Sequence, residues 1–311
     1  MMNRRALFNS TVSAMLLSTL QGRQAAAQRD SGDFAMHVDR AFVRIKEGLV
    51  HYRHAGHFAE AEDLPLYMMH ASPGSSAGLD GLVAKLAEGR RVIAADTLGY
   101  GDSAAPIPEV PDLIYYADSV ARILDALSID KVDLYGSHTG ANIAVEFVIA
   151  HPDRVSRLVF DGVALFDKVL AEDMLENYAP RVGPRDDGSH LLWAWNFLRD
   201  MGQFFPHYRR DPKHYLARPM QSAEQLTSRV IEVLKALPHY HKGYRAVFRH
   251  KTHQRLPLIT VPTFCMAHKA DPLHVSVEEA AALVPNSTRL VLPLTASLVD
   301  KARAINDFLE R

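Results

Sequence analysis

The alternation of strand-like and helix-like segments is the feature that most restricts the fold of this chain. Short apolar runs, separated by stretches of helical periodicity, occur at residues 64–69, 91–95, 132–135 and 155–160. Such runs are typical of parallel strands that helices cover on both faces. Before them, residues 36–45 and 49–53 alternate apolar and polar side chains around Glu47 and Gly48, which predicts an antiparallel hairpin. The sequence therefore predicts an α/β protein with a mostly parallel, doubly wound sheet.

This alternation is interrupted by a helical block. Residues 167–257 contain no strand-like run, and their periodicity indicates several short helices rich in aromatic side chains and histidine. Alternation resumes at residue 261 and ends with a helix at residues 298–309. We therefore expect a helical cap inserted into one α/β core. The predicted division assigns residues 28–165 and 258–311 to the core and residues 166–257 to the cap.

The first residues, 1–27, have the composition of a targeting segment. Arg4 and Arg5 precede a mildly apolar run at residues 6–20, and small side chains follow at residues 25–27. The segment contains no acidic residue. These features predict a secretory signal, and the arginine pair favours the twin-arginine type. We accordingly expect an exported protein, located in a bacterial periplasm.

Composition excludes several classes of partner. The 35 basic and 36 acidic residues give a formal net charge of −1, which offers no basic surface for nucleic acid. No run reaches the roughly 18 apolar residues of a membrane span. The single cysteine, Cys265, excludes an intrachain disulfide and a cysteine-based zinc site. His51, His54 and His57 are spaced by three on a predicted strand, where such residues face opposite sides, so we expect no metal site.

The most informative local pattern is the junction between a strand and a helix at residues 132–142. Its centre reads Gly-Ser-His-Thr-Gly at residues 136–140. A sharp strand-to-helix turn needs small residues two positions either side of its apex, because strand and helix must pack past each other. Gly136 and Gly140 meet this requirement around His138. An apex at Ser137 would instead place Tyr135 and Thr139, which are too large, at the tight positions.

This junction resembles the nucleophile elbow of the α/β-hydrolase fold family, in particular its capped members of the epoxide-hydrolase and esterase kind. Other motifs follow in the family's order, at residues 70–74, 96–103 and 261–272. The resemblance implies that the backbone N–H groups of Ser72 and Thr139 form an oxyanion hole, and that Asp271 is the catalytic acid. It also implies a small-molecule substrate and no cofactor.

The chain departs from the family pattern at two positions. His138 stands at the apex, where the family has Ser, Asp or Cys. The family's catalytic histidine, expected after the last strand, is absent from residues 292–298, and the last histidine of the chain is His274. Ser297 stands near the missing histidine's place. Neither a serine-nucleophile triad nor an aspartate-nucleophile triad can be transferred to this chain.

Three roles for His138 remain open from the sequence. It is a general base that activates water or removes a substrate proton, or itself the nucleophile, with Asp271 orienting it. Alternatively, it is the base for a nucleophilic Ser297, or it only hydrogen-bonds a ligand in a pocket without chemistry. Its position at a helix N-terminus is expected to disfavour the imidazolium ion and to keep the ring neutral.

The predicted cap supplies a lining for a small, largely apolar substrate. The side chains that we expect to contact this substrate are His70, Trp193, Trp195, Phe205, Tyr208 and Tyr240. The leading hypothesis is a hydrolase of a small apolar ester, lactone or epoxide. The alternatives are a ligand-binding protein that has lost catalysis and a cofactor-free lyase or isomerase. The oligomeric state is left open.

Overall fold

The computed structural model describes residues 36–57 and 64–310. The predicted secretory signal at residues 1–27 lies outside the described residues, and it stays a prediction together with the periplasmic location. All elements described below belong to one compact unit, Val38–Arg311.

One mixed sheet organises the described part of the chain. Its strands are β1 (Asp39–Ile45), β2 (Gly48–Ala55), β3 (Leu66–Met69), β4 (Val92–Ala95), β5 (Val132–Ser137), β6 (Val155–Asp161), β7 (Thr263–His268) and β8 (Ser287–Leu292). Their order in the sheet is β1-β2-β4-β3-β5-β6-β7-β8. β2 pairs antiparallel with β1 and β4, and the pairs from β4 to β8 are parallel. The predicted leading hairpin and doubly wound sheet are confirmed.

Helices cover both faces of this sheet. They are α1 (Asp80–Leu86), α2 (Leu113–Ala126), α3 (Thr139–Ala150), α4 (Lys168–Asn177), α5 (Ser189–Gln203), α6 (Ala223–Ala236), α7 (Tyr240–Arg249), α8 (Thr252–Arg255), α9 (Val277–Leu283) and α10 (Leu298–Leu309). Short 3₁₀ turns occur at Ser76–Leu79, Pro152–Arg154, Leu256–Leu258 and Pro272–Ser276. Within the described residues, no helix combines the length and the apolar character that crossing a membrane requires.

The central strands form the core because both of their faces are covered. β3 and β4 are buried along their whole length, and Leu66, Ile93 and Leu134 expose 0% of their surface. Full burial of such a side chain contributes about 1.5–3 kcal/mol to folding. A core of this kind fixes the positions of the strand ends, where the loops of a parallel sheet carry functional side chains.

The segment between β6 and β7 contains α4 to α8 and packs through aromatic side chains. Tyr178 contacts the rings of His207, Tyr244 and Phe248 at centroid distances of 4.6, 5.1 and 5.3 Å. These helices lie within the range predicted for the cap. The domain boundaries after residues 27, 165 and 257 remain predictions.

The turn between β5 and α3 has a strained backbone at His138. Its φ is 49° and its ψ is −110°, a combination that side-chain-bearing residues rarely adopt. The flanking glycines make this turn sterically feasible. A Cβ atom on Gly136 would lie 2.5 Å from the carbonyl oxygen of Gly140, and one on Gly140 would lie 2.7 Å from the carbonyl carbon of Met69. The side chain of His138 is thereby presented at the carboxyl end of the sheet.

We predict that His138→Gly is more stable than His138→Ala by about 1 kcal/mol, because a residue with a Cβ atom strains this backbone by about 1–3 kcal/mol, partly offset by the chain entropy of glycine. Both variants remove the imidazole ring, so their difference isolates the backbone. Urea unfolding measures it. At His253, which has helical backbone in α8, the order should reverse, with Gly less stable than Ala by about 0.5–1 kcal/mol. Equal stability of the two His138 variants would contradict the strain.

Candidate active site

The imidazole of His138 is hydrogen-bonded to a carboxylate from the opposite side of the site. His138 Nε2 lies 2.5 Å from Asp271 Oδ2, and both side chains are partly buried. Asp271 is held in place because its other oxygen, Oδ1, accepts the backbone N–H of Leu273 at 2.8 Å, at the start of the turn after β7. Among the described residues, none hydrogen-bonds to Nδ1 of His138. The ring therefore has one nitrogen bound to Asp271 and one available to a ligand.

The backbone directly after β6 leaves just enough room for the imidazole ring of His138. Gly162 follows β6 with a φ of +74°, and a Cβ atom there would lie 3.1 Å from both Cδ2 and Nε2 of His138. The main chain of the turn is also attached to β6, because the N–H of His138 donates to the carbonyl oxygen of Asp161 at 3.3 Å. The position of the imidazole is thus set by β5, β6 and β7 together.

The electrostatics of the pair favour the charged imidazole. Burial by itself lowers the pKa of His138, but the adjacent Asp271 carboxylate, with a contribution from Asp161, raises that pKa above its ordinary value. Burial raises the pKa of Asp271, whereas His138 and, more weakly, Lys301 lower it, so that it ends below its ordinary value. The expectation of a neutral ring, based on the helix N-terminus, is wrong in direction because it did not include the contact with Asp271.

A second charged group lies next to the turn. Asp161, the last residue of β6, accepts the hydroxyl of Tyr135 at 2.5 Å, and it forms an ion pair with Lys301 of α10. Asp161 and Tyr135 are buried. Lys301 was not singled out from the sequence. The only signal for it was its place in the first turns of the last helix, close to where the family's missing histidine would be.

The structure does not bring Ser297 to His138. Ser297 is the N-cap of α10, where its Oγ lies 2.7 Å from Asp300 Oδ2 and accepts the backbone N–H of Asp300 at 3.2 Å. The side chain is exposed. The arrangement with Ser297 as nucleophile and His138 as its base therefore lacks the required contact, because the hydroxyl is used to cap the helix.

The loop after β3 carries the predicted oxyanion donor Ser72. Its Oγ donates to the hydroxyl of Tyr100 at 2.9 Å, and its carbonyl oxygen accepts the hydroxyl of Tyr244 at 2.8 Å. These bonds attach the loop to the helical segment. Thr139, the other predicted donor, is the first residue of α3. The role of the two backbone N–H groups stays a prediction.

Two cavities adjoin the turn on different sides. The smaller, of about 40 Å³, is lined by His138, Thr139, Ala164, Phe166, Met174, Tyr178, Phe205, Tyr244, Val247, Phe248 and Leu273. The larger, of about 550 Å³, has polar side chains in its wall, among them His70, Ser72, Ser137, Asp161, Arg229, Glu232 and Lys301. The imidazole thus lines an aromatic cavity, and the loop of Ser72 lines a larger one that also contains charged side chains.

His70 lines the larger cavity but has both ring nitrogens engaged. Nε2 accepts the backbone N–H of Thr97 at 2.9 Å, and Nδ1 lies 3.1 Å from the carbonyl oxygen of Ala71. Burial lowers the pKa of His70, partly opposed by Asp96. His70 is therefore a neutral side chain that holds its loop in place rather than a free substrate contact.

Of the aromatic side chains predicted to contact substrate, Phe205 lines the cavity beside His138. Trp193 stacks on Phe197 at 4.9 Å, and Trp195 packs against the core. Tyr208 donates to Asp173, and the fully buried Tyr240 donates to the carbonyl oxygen of Pro180. These four side chains stabilise the helical segment instead of lining that cavity.

Part of the lining of the cavity beside His138 comes from α7. Tyr244, Val247 and Phe248 share one face of this helix, and Phe166 and Tyr178 complete the aromatic wall. Their three- and four-residue spacing was visible in the sequence. It indicated only a buried face and not which space the face borders.

One group of described side chains has the composition of a metal site. The group consists of His51, Asp96 and Asp102, whose ligand atoms lie within 4.8 Å of one another. Asp96 is already a hydrogen-bond acceptor for His51 Nδ1 at 2.9 Å and for the N–H groups of Ser76 and Asp102 at 2.8 and 3.0 Å. These bonds identify the group as the anchor of the loop after β4.

Comparison with known proteins identifies the family. Residues 65–295 match the family model described as alpha/beta hydrolase fold. A 2-hydroxymuconate semialdehyde hydrolase of Pseudomonas sp. (strain CF600) is 42% identical over 103 residues, which are 32% of this chain and 36% of the relative. A 2-hydroxy-6-oxononadienedioate/2-hydroxy-6-oxononatrienedioate hydrolase of Paraburkholderia xenovorans (strain LB400) is 40% identical over 129 residues, 39% of this chain and 43% of the relative.

These alignments span about two fifths of the relatives' length or less. The fold is matched over nearly the whole chain. An epoxide hydrolase from an endophytic Streptomyces superposes with a TM-score of 0.67 at 17% identity, covering 88% of this chain and 95% of the other. The sheet order, the strained turn after β5 and the matched residues agree with the predicted resemblance, and this chain belongs to the alpha/beta hydrolase fold family.

Proposed function

We propose that this protein is a hydrolase of a small, largely apolar ester, lactone or epoxide, in which His138 is the general base and Asp271 orients it. The observation that carries the proposal is the 2.5 Å contact between His138 Nε2 and Asp271 Oδ2 at the apex of the strained turn. Holding a histidine in an unfavourable backbone conformation costs free energy, and such strain is concentrated at functional sites. A side chain that only filled space would not need this position.

The chemistry follows from the two ring nitrogens. With Nε2 bound to Asp271, Nδ1 of the neutral ring can accept a proton from water as the water oxygen attacks the substrate carbon. Asp271 stabilises the imidazolium that forms. The proton then passes from Nδ1 to the leaving oxygen, which returns the ring to its neutral state. The N–H groups of Ser72 and Thr139 are the proposed donors to the charge that develops on the carbonyl oxygen.

Product analysis distinguishes a hydrolase from the two alternatives, a lyase or isomerase and a ligand-binding protein. A lyase or isomerase would use the same base but would not incorporate solvent oxygen into product. A ligand-binding protein would turn over nothing. The raised pKa of His138 and the engaged Asp271 favour proton transfer over simple ligand binding.

We predict that His138→Ala lowers kcat/KM by about 10²-fold or more, the usual contribution of a general base. Asp271→Asn should lower it as well, because the imidazolium loses its partner. A panel of aryl esters, lactones and epoxides in ¹⁸O-labelled water measures both turnover and oxygen incorporation. The matched control is His253→Ala, which breaks a surface pair with Glu279 at 3.1 Å and should leave kcat/KM unchanged. Full activity of His138→Ala would exclude the proposed base.

The pH profile provides a separate prediction. The base must be neutral, so kcat/KM should rise with pH, with a midpoint above about 6.5, the ordinary histidine pKa, because the Asp271 carboxylate raises the pKa of His138. In Asp271→Asn the imidazolium loses this stabilisation, so the midpoint should move to lower pH while the plateau falls. A midpoint that stays in place in Asp271→Asn would contradict the assigned pair.

A second candidate function is hydrolysis of a carbon–carbon bond in a substrate that carries a carboxylate. Both relatives described above are named as hydrolases, and the substrates in their names, a muconate semialdehyde and a dioate, carry carboxylates. The observation in its favour is Arg229, which borders the larger cavity and donates to Gln221 Oε1 at 2.8 Å. Among the described residues, no acidic side chain forms an ion pair with it. The guanidinium is thus available for a carboxylate, which it can bind with two parallel hydrogen bonds.

For this candidate we predict that Arg229→Gln raises KM for 2-hydroxymuconate semialdehyde by about 10-fold or more, as expected for loss of a charge-assisted hydrogen bond. The effect on an uncharged aryl ester should be clearly smaller. Steady-state kinetics of both substrates test this, with the surface variant Arg303→Gln as control. Equal losses for the charged and the uncharged substrate would count against carboxylate recognition.

A further inference from the structure

Helix α7 carries a second group of side chains, which lines a different pocket from the cavity beside His138. Tyr244, Val247 and Phe248 line the cavity beside His138. His241, Arg245 and Arg249 recur every four residues on another face, next to Lys242. This spacing places the basic side chains in one row along the helix.

These basic side chains border a small depression of about 110 Å³. The other walls come from residues 109–111 of the loop before α2 and from Arg181 in the loop after α4. Glu109 is the acidic residue of this lining, and it is shared between Arg181 at 3.2 Å and Lys242 at 3.1 Å. With four cations, one carboxylate and a neutral His241, the lining has a formal charge of 4 − 1 = +3. We call it the basic pocket.

Two of the cations have no acidic partner. In the part of the chain that the structure describes, Arg245 and Arg249 form no ion pair. Lys242 is better satisfied, because its Nζ also donates to the carbonyl oxygen of Pro108 at 3.1 Å. The positive charge of the basic pocket is therefore concentrated on the two arginines of α7.

Two buried nitrogen atoms in the basic pocket also lack partners. Nε of Arg245 and Nδ1 of His241 are both buried without a hydrogen bond to any described residue. Leaving buried polar atoms unpaired is unfavourable, and such atoms in a native fold indicate a missing partner. Both atoms belong to one face of one helix, so a single bound group could satisfy them.

The field in the basic pocket is positive enough to affect His241. Burial and the neighbouring Arg245, Arg181 and Lys242 lower the pKa of His241 to about 4, with Glu109 opposing them. His241 is therefore neutral at pH 7. An anion would be attracted here, whereas a metal cation would be repelled.

We propose that the basic pocket binds a phosphate-type oxyanion, held by Arg245 and Arg249 with Arg181 and Lys242 at its sides. A dianion matches the excess of charge better than a single carboxylate does, and guanidinium groups bind phosphate oxygens with paired, directional hydrogen bonds. The depression is too small for a nucleic-acid strand. The carboxylate of Glu109 would repel an anion from the wall formed by residues 109–111. The bound anion is therefore expected next to α7. This site does not depend on the proposed hydrolase activity.

The test is titration of the whole protein with inorganic phosphate by calorimetry at constant ionic strength. We expect saturable binding with one phosphate per chain. Arg249→Gln, at an exposed position, should weaken it by about 10-fold or more, the effect of losing one charge-assisted hydrogen bond. Arg245→Gln should do the same. The control, Arg303→Gln, removes an exposed cation of α10 that is paired with Asp300 at 3.5 Å and should bind phosphate as the unaltered protein does.

A second measurement keeps the test independent of folding defects in Arg245→Gln. Histidine side-chain NMR of the unaltered protein should show the pKa of His241 rising when phosphate is bound, because the anion offsets the surrounding cations. The ring signals of His253, in α8 outside the basic pocket, should not respond to phosphate. Absence of saturable binding at millimolar phosphate, or binding that is equal in the unaltered protein and Arg249→Gln, would overturn the proposal.

Discussion

The hydrogen bond between His138 Nε2 and Asp271 Oδ2 joins two parts of the chain that are 133 residues apart, and the rest of the site depends on it. It requires β5, β6 and β7 to be adjacent, because His138 follows β5, Gly162 follows β6 and Asp271 follows β7. The parallel sheet brings these ends to one edge. The proposed base and its carboxylate are therefore held at the ends of adjacent parallel strands, without a residue from the last loop.

The position of His138 is the consequence of a steric constraint on its neighbours. Gly136 and Gly140 allow β5 and α3 to approach so closely that no Cβ atom fits at either position. The residue between them must then adopt a strained conformation with its side chain directed at the strand ends. Packing energy from the core compensates for this strain, since β5 and its neighbour β3 are almost completely buried. If the turn between β5 and α3 were flexible, its backbone would relax to an unstrained conformation and His138 would lose its contact with Asp271.

The parts of this site that follow from local sequence were predictable, and those that depend on distant contacts were not. The order of strands and helices and the place of His138 follow from periodicity and from the two glycines. The direction of the pKa shift of His138 was not predictable, because it depends on the distance to Asp271. The helix-capping role of Ser297 was not predicted for a related reason. Its sequence position near the missing histidine did not reveal that Asp300, three residues later, completes a helix cap. The aromatic lining from α7 could be identified as a buried face but not assigned to a cavity.

The ion pair between Lys301 and Asp161 explains how the site tolerates a histidine at the turn. Two carboxylates, Asp161 and Asp271, act on the imidazole, and each raises its pKa. Without a compensating cation, these two charges would raise the pKa of His138 further and favour the protonated ring, which cannot be the proposed base. Lys301 offsets Asp161, so the formal charge of the four side chains is −1 with a neutral ring and 0 with a protonated one. Asp271 has no such lysine partner and remains as the partner of the charged imidazole, which is the arrangement that the proposed general base requires.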